Sequence, residues 1–134
     1  MTLKLSDPAL HVGIVTENGE RMLDFYNRVF GLESVGEIPF PGLGVVHKLQ
    51  CGNSQIKLLV LESPAQSHNP GGGFSSATGY RYLSFNIANI DAVVEACDKD
   101  CCQIVVAVKE LRPGVKAAMV QDPDGNTIEF MQMD

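Results

Sequence analysis

The sequence predicts an α+β protein: two βαβββ modules forming a curved mixed β-sheet cup with helices on the outer side. Three observations carry that reading. A short apolar strand pattern followed by an amphipathic helix pattern occurs twice, and strand patterns follow each helix. Distinctive side chains also recur at nearly constant spacing, His11 standing 71 positions before Tyr82 and Lys57 standing 72 before Glu129. A spacing kept across an intervening helix in both halves marks a duplicated unit, and apolar helical faces need a sheet to cover. With 134 residues, 45% hydrophobic and 19% charged, the chain can bury a core without staples. The expectation is one domain over 1–134, with modules at about 8–62 and 79–132 and a linker at 63–78.

In chain order, Ala9 to Val15 is a β-branched apolar run opened by Pro8 and gives the first strand, with His11 its one titratable side chain. Thr16 is a candidate cap. Glu17 to Phe30 then places Met22, Leu23, Phe25, Tyr26, Val29 and Phe30 at helical spacing, and Gly31 stops the helix. After a break at Pro39 to Gly44, Val45 to Leu49 and Gln55 to Leu61 read as strands joined by a turn at Gly52-Asn53-Ser54. Ser63 to Gly79 has loop composition; its glycine triplet does not follow a strand and open a helix, so it gives only weak support to a phosphate-binding reading. The pattern then restarts with a strand at Tyr80 to Ile87, a helix at Ile90 to Cys101, and strands at Ile104 to Val108, Lys116 to Val120 and Thr127 to Met131. Asp122-Pro123-Asp124-Gly125 fits a type I turn between the last two. In the final strand Thr127, Glu129 and Met131 share one face, Ile128 and Phe130 the other, so Glu129 stands on a strand that must bury a face.

A net charge of -6 and pI near 4.9 argue against nucleic acid and anionic membrane as partners, since either needs a basic face. The N-terminal residues show no apolar secretory core, and no run is long enough to span a bilayer, so a cytoplasmic location is expected. Cys51, Cys97, Cys101 and Cys102 form no C-x-x-C pair and read as free thiols; Cys97 and Cys101, one helical turn apart, read as small buried side chains ahead of a redox pair.

The run Leu10-His11-Val12-Gly13-Ile14-Val15, the helix end Phe25-Tyr26-Asn27-Arg28-Val29-Phe30-Gly31-Leu32, and Asp122-Pro123-Asp124-Gly125-Asn126-Thr127-Ile128-Glu129 together resemble the vicinal oxygen chelate superfamily of glyoxalases, bleomycin resistance proteins and extradiol dioxygenases. The resemblance covers nearly the whole chain. It implies a cup in which metal-dependent members hold a divalent ion through four strand side chains, typically histidine or glutamate. Carried over, His11 and Glu129 match as ligands. Lys57 stands where glutamate or glutamine is expected, and Tyr82 where the second module's histidine would be.

A lysine ammonium has no lone pair to give and a neutral phenol is a poor ligand. The expected function is therefore that of a glyoxalase-like or bleomycin-resistance-like protein that binds a small organic molecule in the sheet cavity without a metal or other cofactor. His11, His47, Lys57, Tyr82 and Glu129 are the candidate ligand-binding residues; His47 enters because it shares strand parity with Val45 and Leu49 and can face an interior. The alternative is a metal-dependent lyase, epimerase or dioxygenase that uses His11 and Glu129. No catalytic residue is assigned, and whether the protein is an enzyme stays open. Exposed sheet edges and family resemblance point to a homodimer.

Overall fold

The computed structural model describes residues 2–134, which divide into two compact units, one reaching to Gln66 and one running from Ser67 to Asp134. In the first unit β1 (His11–Thr16), a helical segment, β2 (Glu33–Phe40), β3 (Gly44–Cys51) and β4 (Ser54–Leu61) follow in order, and the sheet order is β1-β4-β3-β2. The second unit repeats this with β5 (Tyr82–Asn86), α2 (Ile90–Lys99), β6 (Ile104–Arg112), β7 (Val115–Gln121) and β8 (Thr127–Met133), ordered β5-β8-β7-β6. In each sheet the first and last strands pair in parallel while the remaining pairs are antiparallel. Each unit is thus a βαβββ module with a mixed four-stranded sheet. The repeat spacing has a structural counterpart: Gly13 pairs with Lys57 in one module as Ser84 pairs with Glu129 in the other.

The first helix differs from its expected extent. Helix α1 covers only Gly19–Asp24 and runs into a π-helical turn at Phe25–Val29. That turn brings the fully buried Phe25 and Tyr26 edge to face at 5.1 Å and sets Phe30 4.6 Å from Phe25, so aromatic packing favours the wider turn over α-helical continuation. Gly31, at φ 71°, ends the segment as expected. Thr16 does not cap it: Thr16 ends β1, its hydroxyl accepts from the Asn18 amide at 2.8 Å, and Asn18 takes the cap position. At Gly19 an added Cβ would lie 2.7 Å from a Val60 methyl, which shows how closely the helix start lies on β4.

Strand β2 has no alternating pattern in the sequence because every one of its residues is exposed and neither face was selected to be apolar. Its register shift between Ser34 and Gly36, and Pro39 at the far end, are features of an edge strand. The β7–β8 turn forms as the sequence indicates: the Gly125 amide donates to the Asp122 carbonyl at 2.9 Å. The Asp122 carboxylate, 5% exposed, accepts from the amides of Asp124 and Asn126 and from the Asn126 side chain at 2.8–3.0 Å. No helix among the described residues is long and apolar enough to cross a membrane.

Candidate functional site

Strand register decides which candidate side chains share a face. In the first module Lys57 lies opposite Gly13 on β1 and opposite Lys48 on β3, and His11 precedes Gly13 by two residues, so His11, Lys48 and Lys57 belong to one face of the sheet. His47 does not. It pairs with the fully buried Leu58, on the face that also carries Leu49, Ile56 and Val60 and that α1 covers. The parity with Val45 and Leu49 is as read from sequence, but the interior it leads to is the helix-packed core, and His47 Nδ1 lies 3.3 Å from Glu37 Oε1.

His11 Nε2 is 3.0 Å from Asp7 Oδ2. That hydrogen bond, with a second from the Ala9 amide at 3.1 Å, holds the Asp7 carboxyl below its ordinary value of 3.8. Lys48 and Lys57 are both half-buried, and among the described residues of their own unit neither has a carboxylate partner. Two ammonium groups directly opposed across an antiparallel pair repel, so this face carries concentrated positive charge in a chain whose net charge is -6.

In the second module Glu129 lies between Ser84 on β5 and Met119 on β7, and the Ser84 hydroxyl donates to Glu129 Oε1 at 2.7 Å. One row along the same face, Tyr82, Thr127 and Gln121 stand side by side. The opposite face carries Ile128 and Phe130 beneath α2, whose first amide, at Ile90, donates to the Gln132 side chain at 2.8 Å. Tyr82 is 52% exposed and meets Phe74 edge to face at 6.0 Å. Tyr82 and Glu129 therefore share one face of the second sheet, as His11 and Lys57 share one face of the first.

That row runs into a cavity of about 280 Å³ whose lining includes Asn69, Gly72, Arg81, Gln121, Asn126 and Thr127. Arg81 lashes the glycine loop down, donating from Nε to the Phe74 carbonyl at 3.0 Å and from Nη2 to the Gly73 carbonyl at 2.9 Å. Its charge has no carboxylate partner among the described residues. Asn69 ties the loop to the turn, donating to the Asp124 carbonyl at 3.1 Å and to Asn126 Oδ1 at 2.9 Å. Thr127 is 3% exposed, yet among the described residues neither its hydroxyl nor the Gln121 amide forms a side-chain hydrogen bond. The cavity thus offers spare donors beside a cation.

For a divalent ion, Lys57 offers no lone pair and Tyr82 only a neutral phenol. Among the described residues no three His, Cys, Asp or Glu side chains gather as an ion would need. The sequence reading missed Lys48, which the hairpin with Gly52-Asn53 at its tip pairs with Lys57; counting outward from that turn would have found it. Gln121 and Thr127 could be found the same way, since they flank the Asp122–Asn126 turn and pair across it; Arg81 had no such signal, since it joins them through the fold of the 69–73 loop.

A family model described as the glyoxalase/bleomycin resistance protein/dioxygenase superfamily matches residues 9–130. No curated protein matches the chain. Among solved structures, a Bacillus anthracis protein described as belonging to the glyoxalase family is 25% identical, with 100% of this chain and 99% of that one covered and a TM-score of 0.66. A glyoxalase family protein from Bacillus cereus superposes with a TM-score of 0.80 at 19% identity, over 98% and 96% of the two chains. TnmS3, an antibiotic binding protein from Streptomyces sp. CB03234, is 18% identical over 100% and 99%, with a TM-score of 0.69.

Proposed function

The chain belongs to the glyoxalase/bleomycin resistance protein/dioxygenase superfamily, and on that premise we propose that it binds a small anionic organic molecule on the sheet faces its helices leave uncovered, without needing a metal ion. The observation that carries this reading is the opposed Lys48–Lys57 pair, half-buried and without a carboxylate partner among the described residues of its own unit. An ammonium pair of that kind is stabilised by an anion arriving from solution. Beside that pair, on the same face of the first module, His11 is a further polar anchor; the second module's face separately offers the Tyr82 phenol and ring and, to a ligand's donor groups, the Glu129 carboxylate. The antibiotic-binding role of TnmS3 gives a precedent on the same fold. Lysine and tyrosine at two of the four strand positions support the metal-free reading through their donor chemistry.

The test is calorimetric titration of chelator-treated protein with benzoate, with neutral benzamide as the comparison. Benzoate should bind the more tightly, weaken as salt rises, and lose its advantage in Lys57→Met. Should benzoate bind only after zinc or manganese is restored, the metal-dependent lyase, epimerase or dioxygenase reading through His11 and Glu129 replaces this one.

A homodimer is part of the proposal. Strand β2 is exposed along its length, with Val35, Ile38 and Phe40 each about half accessible, and a second copy is the commonest cover for such an edge. Light scattering that returns 14.5 kDa at micromolar concentration counts against it. The thiol pattern supports a reducing, cytoplasmic compartment, which cell fractionation tests.

A further inference from the structure

Three of the four cysteines crowd the C-terminal end of α2, and the way that helix stops determines which two meet. The Cys102 amide donates to the Cys97 carbonyl at 3.0 Å and the Cys101 amide to the Asp98 carbonyl at 3.0 Å, while Cys101 takes φ 61°. These paired bonds around a left-handed residue fold the chain back so that the residue two beyond the cap lies over the last full helical turn. Here those two residues are Cys102 and Cys97, and their thiols lie close enough to perturb each other. A turn closed in this way holds its end residues about 5–6 Å apart at Cα, within the span a disulfide bridges. Cys101, pointed away by its left-handed backbone, is exposed; Cys97 is fully buried and Cys102 half-buried.

We propose that Cys97 and Cys102 form a reversible dithiol–disulfide site that reacts with hydroperoxides. The half-exposed Cys102 thiolate attacks the peroxide: a sulfur–oxygen bond forms, the oxygen–oxygen bond breaks, and hydroxide leaves to be protonated as water. The Cys97 sulfur then displaces the oxygen of the Cys102 sulfenic acid; a sulfur–sulfur bond forms, the sulfur–oxygen bond breaks, and the Cys97 proton departs with that oxygen as a second water. Two thiols lose two electrons and one peroxide gains them. Burial first, then the neighbouring Cys102, pushes the Cys97 thiol up to about 12, so Cys97 stays protonated until its partner is oxidised. The first attack therefore falls to Cys102, and Cys97 serves as the resolving thiol, losing its proton as its sulfur attacks the adjacent sulfenic acid. Resolution within the pair halts oxidation at the disulfide, short of the irreversible sulfinic acid.

Trypsin cuts after Lys99 and separates Cys97 from Cys101 and Cys102, so the reaction can be read by mass. The reduced full-length chain, treated with hydrogen peroxide, alkylated and digested, should yield the two peptides covalently joined, with two hydrogens lost and dithiothreitol releasing them. The joined species should persist in Cys101→Ser and vanish in Cys102→Ser and Cys97→Ser, each checked for native far-UV circular dichroism. A cross-link that survives in Cys102→Ser assigns the partner to Cys101 and overturns the proposal, as does peroxide treatment that gives only sulfinic or sulfonic acid.

Discussion

Changing Lys48 to glutamate should raise stability and reduce anion binding at once. Lys48 and Lys57 face each other across β3 and β4 with no carboxylate from the described residues of their own unit between them. A favourable cross-strand charge pair contributes roughly 0.2–1 kcal/mol, and a like-charged pair directly opposite is destabilising by a similar amount. Reversing one sign therefore spans about 0.4–2 kcal/mol; because both residues are only half-buried, screening brings the expected gain to about 0.5–1 kcal/mol. For a chain of this size, with a urea slope of about 1–3 kcal/mol per molar, the unfolding midpoint should rise by roughly 0.2–1 M at low ionic strength. Lys48→Met should give about half the shift, since it removes repulsion without adding attraction, and high salt should narrow both differences. Benzoate affinity should fall in Lys48→Glu even as stability rises, the trade expected when a site keeps unfavourable charge for its ligand. A midpoint that drops at low salt, or benzoate affinity that stays at the wild-type level, would refute the reasoning.

Other substitutions probe single features of the fold. Cys101→Gly should stabilise the protein by about 1 kcal/mol, because a left-handed backbone strains any residue with a Cβ; thermal melting that shows no gain would place the strain elsewhere. Asp122→Ala should cost about 2–4 kcal/mol by leaving three donors of the β7–β8 turn without their shared acceptor, measured by urea unfolding. The Asp7 carboxyl should titrate below 3.8 in wild type and move back toward that value in His11→Ala, as followed by carbon NMR. Because folding lowers that carboxyl's affinity for protons, its contribution to stability is present above pH 3.8 and is lost as pH falls below it, so the acid limb of the pH–stability curve should flatten in His11→Ala.

The duplicated module was legible because hydrophobic periodicity and spacing are local properties of the chain. Apolar faces at helical and strand periods, the glycine stop at Gly31 and the Asp122 turn each arise from a few neighbouring residues; the stop and the turn form where the sequence indicates, and the first helix forms over a shorter span than expected. Strand β2 and the π-helical turn were not legible for the complementary reason: an exposed edge strand is under no pressure to alternate, and the wider turn exists only because Phe25, Tyr26 and Phe30 pack together. Among the site residues, parity put His11 and Lys57 on one face and Tyr82 and Glu129 on another, while parity alone could not tell which interior His47 would enter. Covering by α1 decided that. The sequence by itself determined the family, the repeat and the chemical identity of the strand positions, all of which depend on residue type and spacing. Only the tertiary structure decided that Thr127 and Arg81 share a cavity and that Cys97 meets Cys102 rather than Cys101, because contacts of that kind depend on loop folding and backbone handedness.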